Sequence, residues 1–140
     1  MKFIKYFSLG IFLLSLFSSC SNELELNAPY KNIPVIYGVL SVKDTSHYIR
    51  IQKVFTNPSG DATAYAKNID SVYYKEDDII VQLVDKNLKT CTLRRVDGNL
   101  EGYKRESGVF VDSPNYLYKI KGDSLKLAGG EKVKISVLIN

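Results

Sequence analysis

The side chains able to do chemistry near neutral pH are few. The 140 residues hold two cysteines, Cys20 and Cys91, and one histidine, His47. A Cys/His zinc site therefore lacks ligands, because structural zinc takes four nitrogen or sulfur donors. Glu76, Asp77 and Asp78 carry the hard oxygens that calcium favours. They are consecutive, however, and lack the spaced ligands of a calcium loop, so a solvated loop is expected. His47 opens an expected strand with no Ser or Cys motif beside it, so we expect a surface or turn histidine, not a general base. The sequence has no phosphate loop, no Gly-x-Ser-x-Gly elbow and no zinc-protease motif. The expectation is a non-enzyme, with no catalytic residue, no metal and no cofactor. Nine of the ten tyrosines lie beyond residue 19. Tyr65, Tyr73 and Tyr74 share a long segment between strands. Flat aromatic faces can stack on the apolar faces of sugars, so these three are the candidate ligand contacts. Tyrosines also suit strands and sandwich corners.

The most informative chemistry is at Cys20. Lys2 and Lys5 make a positive start, residues 9–17 are a short apolar run, and the small Ser18 and Ser19 directly precede Cys20. That is the layout of a secretory signal segment. Its apolar run falls short of the roughly 20 residues a membrane span needs. A cysteine at the cleavage position resembles the lipobox of bacterial lipoproteins; Ser19 fits that pattern, while Phe17 stands where Leu is preferred. The resemblance implies cleavage before Cys20 and acyl chains attached to it. Two or more such chains hold a protein stably at a bilayer, whereas one holds it only marginally. The acidic stretch Ser21-Asn22-Glu23-Leu24-Glu25 is similar to the export signals that follow the lipidated cysteine in surface-exposed Bacteroidetes lipoproteins. It also reads as a solvated linker.

Removing Lys2 and Lys5 from the 19 Lys and Arg leaves 17 against 15 acidic residues, a net of +2. The cations are scattered, with only Arg94–Arg95 and Lys104–Arg105 adjacent to one another. Nucleic-acid binding calls for a clustered basic stripe, so no nucleic-acid partner is expected. With Cys20 acylated, Cys91 has no disulfide partner within the chain. A hydrophobic core must hold the fold, with Cys91 as a small buried apolar residue.

The elements that position these residues are β-patterned throughout. Residues 35–42 are apolar on both faces and read as a covered strand. In residues 48–55, Ile49, Ile51 and Phe55 alternate with Arg50 and Gln52, and Lys53 interrupts the apolar face. The two strands are expected to form a hairpin across the turn at residues 43–46. Residues 56–78 interrupt the pattern: Asn57-Pro58-Ser59-Gly60 is turn chemistry, and Asp61 can cap a short helix ending at Lys67. Residues 79–84 form a compact apolar run suited to a central strand. Residues 90–96 read as one strand closed by the Asp97-Gly98 turn. Residues 109–111 could add a short strand. Residues 116–121 and 133–139 alternate cleanly. Six to seven short strands with regular turns predict an all-β fold, an immunoglobulin-like antiparallel β-sandwich or a small barrel.

This order of features resembles an uncharacterised family of Bacteroidetes lipoproteins with an N-terminal β-sandwich. The segments that carry the resemblance are Ser19-Cys20, residues 34–40, residues 47–51, Tyr65-Ala66, residues 70–74 and Gly129-Gly130. It implies an outer-membrane location, on the periplasmic or surface-exposed face. The expected partners are the membrane, through the lipid anchor, and an envelope protein or a glycan. The expected organisation is a signal peptide at 1–19, the lipidated cysteine and tether at 20–33, and a β-sandwich at 34–140. Members of that family often continue further, so the chain also reads as the front piece of a longer envelope protein, or as a structural accessory subunit of an outer-membrane assembly.

Overall fold

The computed structural model describes residues 33–54 and 61–140. Among them are seven strands: β1 (Pro34–Gly38), β2 (Ser46–Lys53), β3 (Ile79–Val84), β4 (Thr90–Thr92), β5 (Arg94–Asp97), β6 (Tyr116–Lys121) and β7 (Lys134–Ile139). Short helices fill the connections: α1 (Ala62–Lys67), α2 (Ile69–Val72) and α3 (Gly122–Leu125), with a single 3-10 turn at Glu76–Asp78. The strands form two antiparallel sheets, one ordered β1-β2-β6-β5 and the other β4-β3-β7.

The alternation seen in the sequence decides which face of each strand is buried. Ile49 and Ile51 of β2, Tyr118 and Ile120 of β6, and Ile79, Val81 and Leu83 of β3 meet in one core between the sheets. Burying each such aliphatic side chain is worth roughly 1.5–3 kcal/mol. The alternate residues of β7 (Ile135, Val137 and Ile139) pack against the same core while remaining half-exposed at the sheet edge. β3 is central in its sheet, and β1 and β2 form the expected hairpin.

Four local expectations are corrected. The first strand ends at Gly38 and does not reach Val42. It lies at a sheet edge, so Ile36 and Tyr37 are exposed where two covered faces were expected. Residues 90–96 are not one strand: β4 belongs to the smaller sheet and β5 to the larger. Between them Leu93 is buried in the core, and its N–H donates to the Val81 carbonyl at 2.9 Å. A side chain needed between the sheets thus makes the chain change sheets, as at the corners of packed sheets. Residues 109–111 are not a strand; the Val111 N–H instead donates to the Ala66 carbonyl of α1 at 2.8 Å. The Asp97-Gly98 turn does not lead straight into a partner strand, because the whole of loop 98–115 separates β5 from β6.

The capped helix matches its expectation. The Asp61 carboxylate accepts from the N–H groups of Thr63 at 3.0 Å and Ala64 at 3.1 Å, and the helix ends at Lys67. Asn68 then caps α2 through its side chain, accepting from the Asp70 N–H at 2.9 Å. Residues 55–60, including Phe55 and the Asn-Pro-Ser-Gly turn, lie outside the described residues, as do the signal segment, Cys20 and the start of the expected tether.

The two faces of β3 give a direct test of this packing. Leu83 is 1% exposed in the core, while Ile80 faces outward beside Leu138. Leu83→Ala is expected to lower unfolding stability by about 2–5 kcal/mol, and Ile80→Ala by about 1 kcal/mol or less. Equilibrium denaturation in urea measures both.

Candidate functional site

Asn115, one residue before β6, is 0% exposed, and each of its hydrogen-bonding groups is used. Its N–H donates to the Asp97 carboxylate at 3.0 Å, and its carbonyl accepts from the Gly98 N–H at 2.7 Å. Its side-chain oxygen accepts from the Arg50 guanidinium at 2.9 Å, and its side-chain amide donates to the Tyr103 carbonyl at 2.8 Å. Asn115 therefore ties loop 98–115 to β2 and to the end of β5. Gly98 is required for this close approach: a Cβ there would stand 2.6 Å from a methyl of Leu117 and 2.8 Å from the Asn115 amide nitrogen. Asn99 extends the clamp, donating to the Asp112 carbonyl and accepting from the Arg105 N–H, both at 2.9 Å. Burial, followed by the nearby charge of Arg105, pushes Arg50 below the usual guanidinium value.

The clamped loop delivers Glu101 to the outer face of the larger sheet. Lys119 of β6 stands opposite Tyr48 on one side and Arg94 on the other. Glu101 reaches all three. The Tyr48 hydroxyl donates to its carboxylate at 3.0 Å, the Lys119 ammonium donates to the same oxygen, and the Arg94 guanidinium lies 4.0 Å from the other oxygen. Hydrogen bonds from Lys119 and then Tyr48 hold the Glu101 carboxyl below its usual value, and the bond to Glu101 raises Lys119. Tyr103 stacks on Tyr48 with ring centroids 4.5 Å apart and planes tilted by 52°. The Lys119 ammonium sits 5.4 Å from the Tyr48 ring centre. Between these residues and the β1–β2 turn lies an open groove of about 680 Å³.

The residues singled out from the sequence lie elsewhere. Tyr73 and Tyr74 are 4% and 3% exposed, whereas Tyr65 is 39% exposed on α1. Tyr74 belongs to the main core. Tyr73 packs with Val72 and Val111 in a second cluster, its ring 5.2 Å from Tyr116 and its hydroxyl accepting from Arg105 at 3.2 Å. Tyr73 and Tyr74 are thus largely buried, and of the three candidate contacts only Tyr65 presents substantial ring surface to solvent. His47 is corrected too. It lies on the inward face of β2, opposite Ile120, and is 2% exposed.

Glu76 pairs with Arg95 at 3.3 Å, and Asp77 and Asp78 are exposed. Among the described residues no group of three or more His, Cys, Asp or Glu could hold a metal ion. Cys91 is half-buried, its thiol donating to the Ser124 carbonyl at 3.3 Å. Cys20 lies outside the described residues.

Glu101, Tyr103 and Asn115 were not singled out from the sequence. The Asp97-Gly98 turn signals a reversal, but nothing in the local pattern shows that Asn115 closes it from across the loop. Within the described residues the fold and site together define a mostly β body of two antiparallel sheets with a clamped loop over one outer face. No family model, curated protein or solved structure matches it.

Two measurements test the site. Asn115→Ala leaves the Arg50 guanidinium and the Tyr103 carbonyl without this partner, and is expected to cost roughly 1–3 kcal/mol in denaturant unfolding. The second concerns acid. A carboxylate whose folded value lies below its ordinary 4.5 stabilises the fold above that value and loses the contribution as pH falls through the folded value. Wild type is therefore expected to lose more Tm than Glu101→Gln on going from about pH 5 to pH 3. Thermal melts of the two proteins across that range provide the comparison.

Proposed function

We propose that this chain is a bacterial envelope lipoprotein, held at the outer membrane by acyl chains on Cys20. Its immunoglobulin-like β-sandwich is a binding or interaction module. The observation that carries this reading is the coincidence of Lys2 and Lys5, the apolar run at 9–17, and Ser18-Ser19 immediately before Cys20. Covalent geometry limits the distance from Cys20 to Ile33 to roughly 45 Å, so the body stays close to the bilayer that holds the anchor. The immunoglobulin-like reading draws support from the four-strand and three-strand sheets sharing one core, and from the change of sheet at Leu93. The binding reading draws support from the preorganised polar groove beside Glu101.

Metabolic labelling with an alkyne analogue of palmitate tests the anchor. Wild type and Cys91→Ala are expected to take up the label, and Cys20→Ala is expected to lose it entirely. Label retained in Cys20→Ala, or absent from wild type, contradicts the anchor.

A further inference from the structure

We propose that the groove over the outer face of β2 and β6 binds a neutral saccharide, with Tyr103 as its stacking platform. The inference deepens the reading of the body as an interaction module, and it does not depend on the anchor at Cys20.

The first support is the exposed ring. Tyr103 is 52% exposed although one neighbour, Tyr48, lies 4.5 Å away. The exposed part of the ring offers a flat apolar face on which the apolar face of a sugar can stack. The backbone that carries this ring and the ring it packs on are both held in place. The Tyr103 carbonyl is fixed by buried Asn115, and Tyr48 is fixed by its bond to Glu101 and by the Lys119 ammonium over its ring. A rigid platform loses little freedom on binding.

The second support is the charge balance. Lys43 and Lys119 line the groove, and so do Asp44 and Glu101. Cations and anions are equal in number, and Lys119 is already bonded to Glu101. A polyanion would meet two carboxylates and a polycation two ammonium groups, and such like-charge contacts oppose binding. A neutral polyol suffers neither repulsion, and its hydroxyls both donate and accept. Thr45 and Ser46, both hydroxyl-bearing residues, line the same groove. At its rim Gly102 has φ +89°, and nothing stands within 4 Å of where a Cβ would be, so that wall is open. The volume of about 680 Å³ falls in the range of small-ligand clefts.

Affinity electrophoresis of the full-length mature protein in detergent tests the proposal. The gels carry dextran, laminarin, galactomannan or xyloglucan as neutral probes, and polygalacturonate or heparin as acidic ones. Wild type is expected to be retarded by at least one neutral polysaccharide and less by the acidic ones. Tyr103→Ala is expected to weaken that retardation about tenfold, while Tyr103→Phe keeps the flat face and most of the binding. Tyr65→Ala, altering an exposed tyrosine elsewhere, should bind as wild type. Circular dichroism melts of each variant show that it is folded. No retardation by any neutral probe overturns the proposal, as does stronger binding to the acidic probes or full binding by folded Tyr103→Ala. Intact mass of the same preparation reports the acyl chains separately, so failure at the groove and failure of the anchor are read apart.

Discussion

The groove exists because a buried amide is satisfied on every side. Asn115 has no exposure to solvent, and an amide in such a place must find partners within the protein or destabilise it. Its partners come from β2, from the end of β5 and from loop 98–115. That single requirement folds the loop onto the larger sheet and fixes the height at which Glu101 and Tyr103 emerge. The ion pair and hydrogen bonds at Glu101 then complete the surface. They are partly open to water, where such pairs contribute little stability. They orient Tyr48, against whose ring Tyr103 packs.

The framework beneath was legible where one face of a strand meets the core and the other meets water. β2, β6 and β7 alternate; the pattern gives β6 its observed bounds and β7 to within one residue, while β2 lies at Ser46–Lys53, two residues earlier than the expected 48–55. The Asp61 cap was legible because its partners are the next few amides in the chain. What remained hidden depends on contacts distant in sequence. Val39 and Val42 look like strand residues, yet the edge strand ends before them. The break at Leu93 has no local marker, since Thr90 to Val96 is uniformly suited to a strand; only the position of the core reveals it. Tyr73 and Tyr74 sit among polar residues in sequence and are buried by packing. Asn115 and Glu101 act on residues 65 and 53 positions away respectively, and no periodicity reports such pairs.

The proposed anchor and the β-sheet body would divide the work between them. In the proposed arrangement, acyl chains on Cys20 would supply membrane affinity, and the body would need no basic patch for it. Among the described residues no helix is long and apolar enough to cross a membrane. In that proposed arrangement the outer face of the larger sheet is left to recognise a partner, with residues 20–33 as the tether.

Intact-mass spectrometry of the native protein, extracted from the envelope, bears most directly on the proposed anchoring. The expected result is a chain that starts at Cys20 and carries the added mass of at least two acyl chains. A mature protein that starts at another residue, or one that starts at Cys20 without acyl mass, contradicts it.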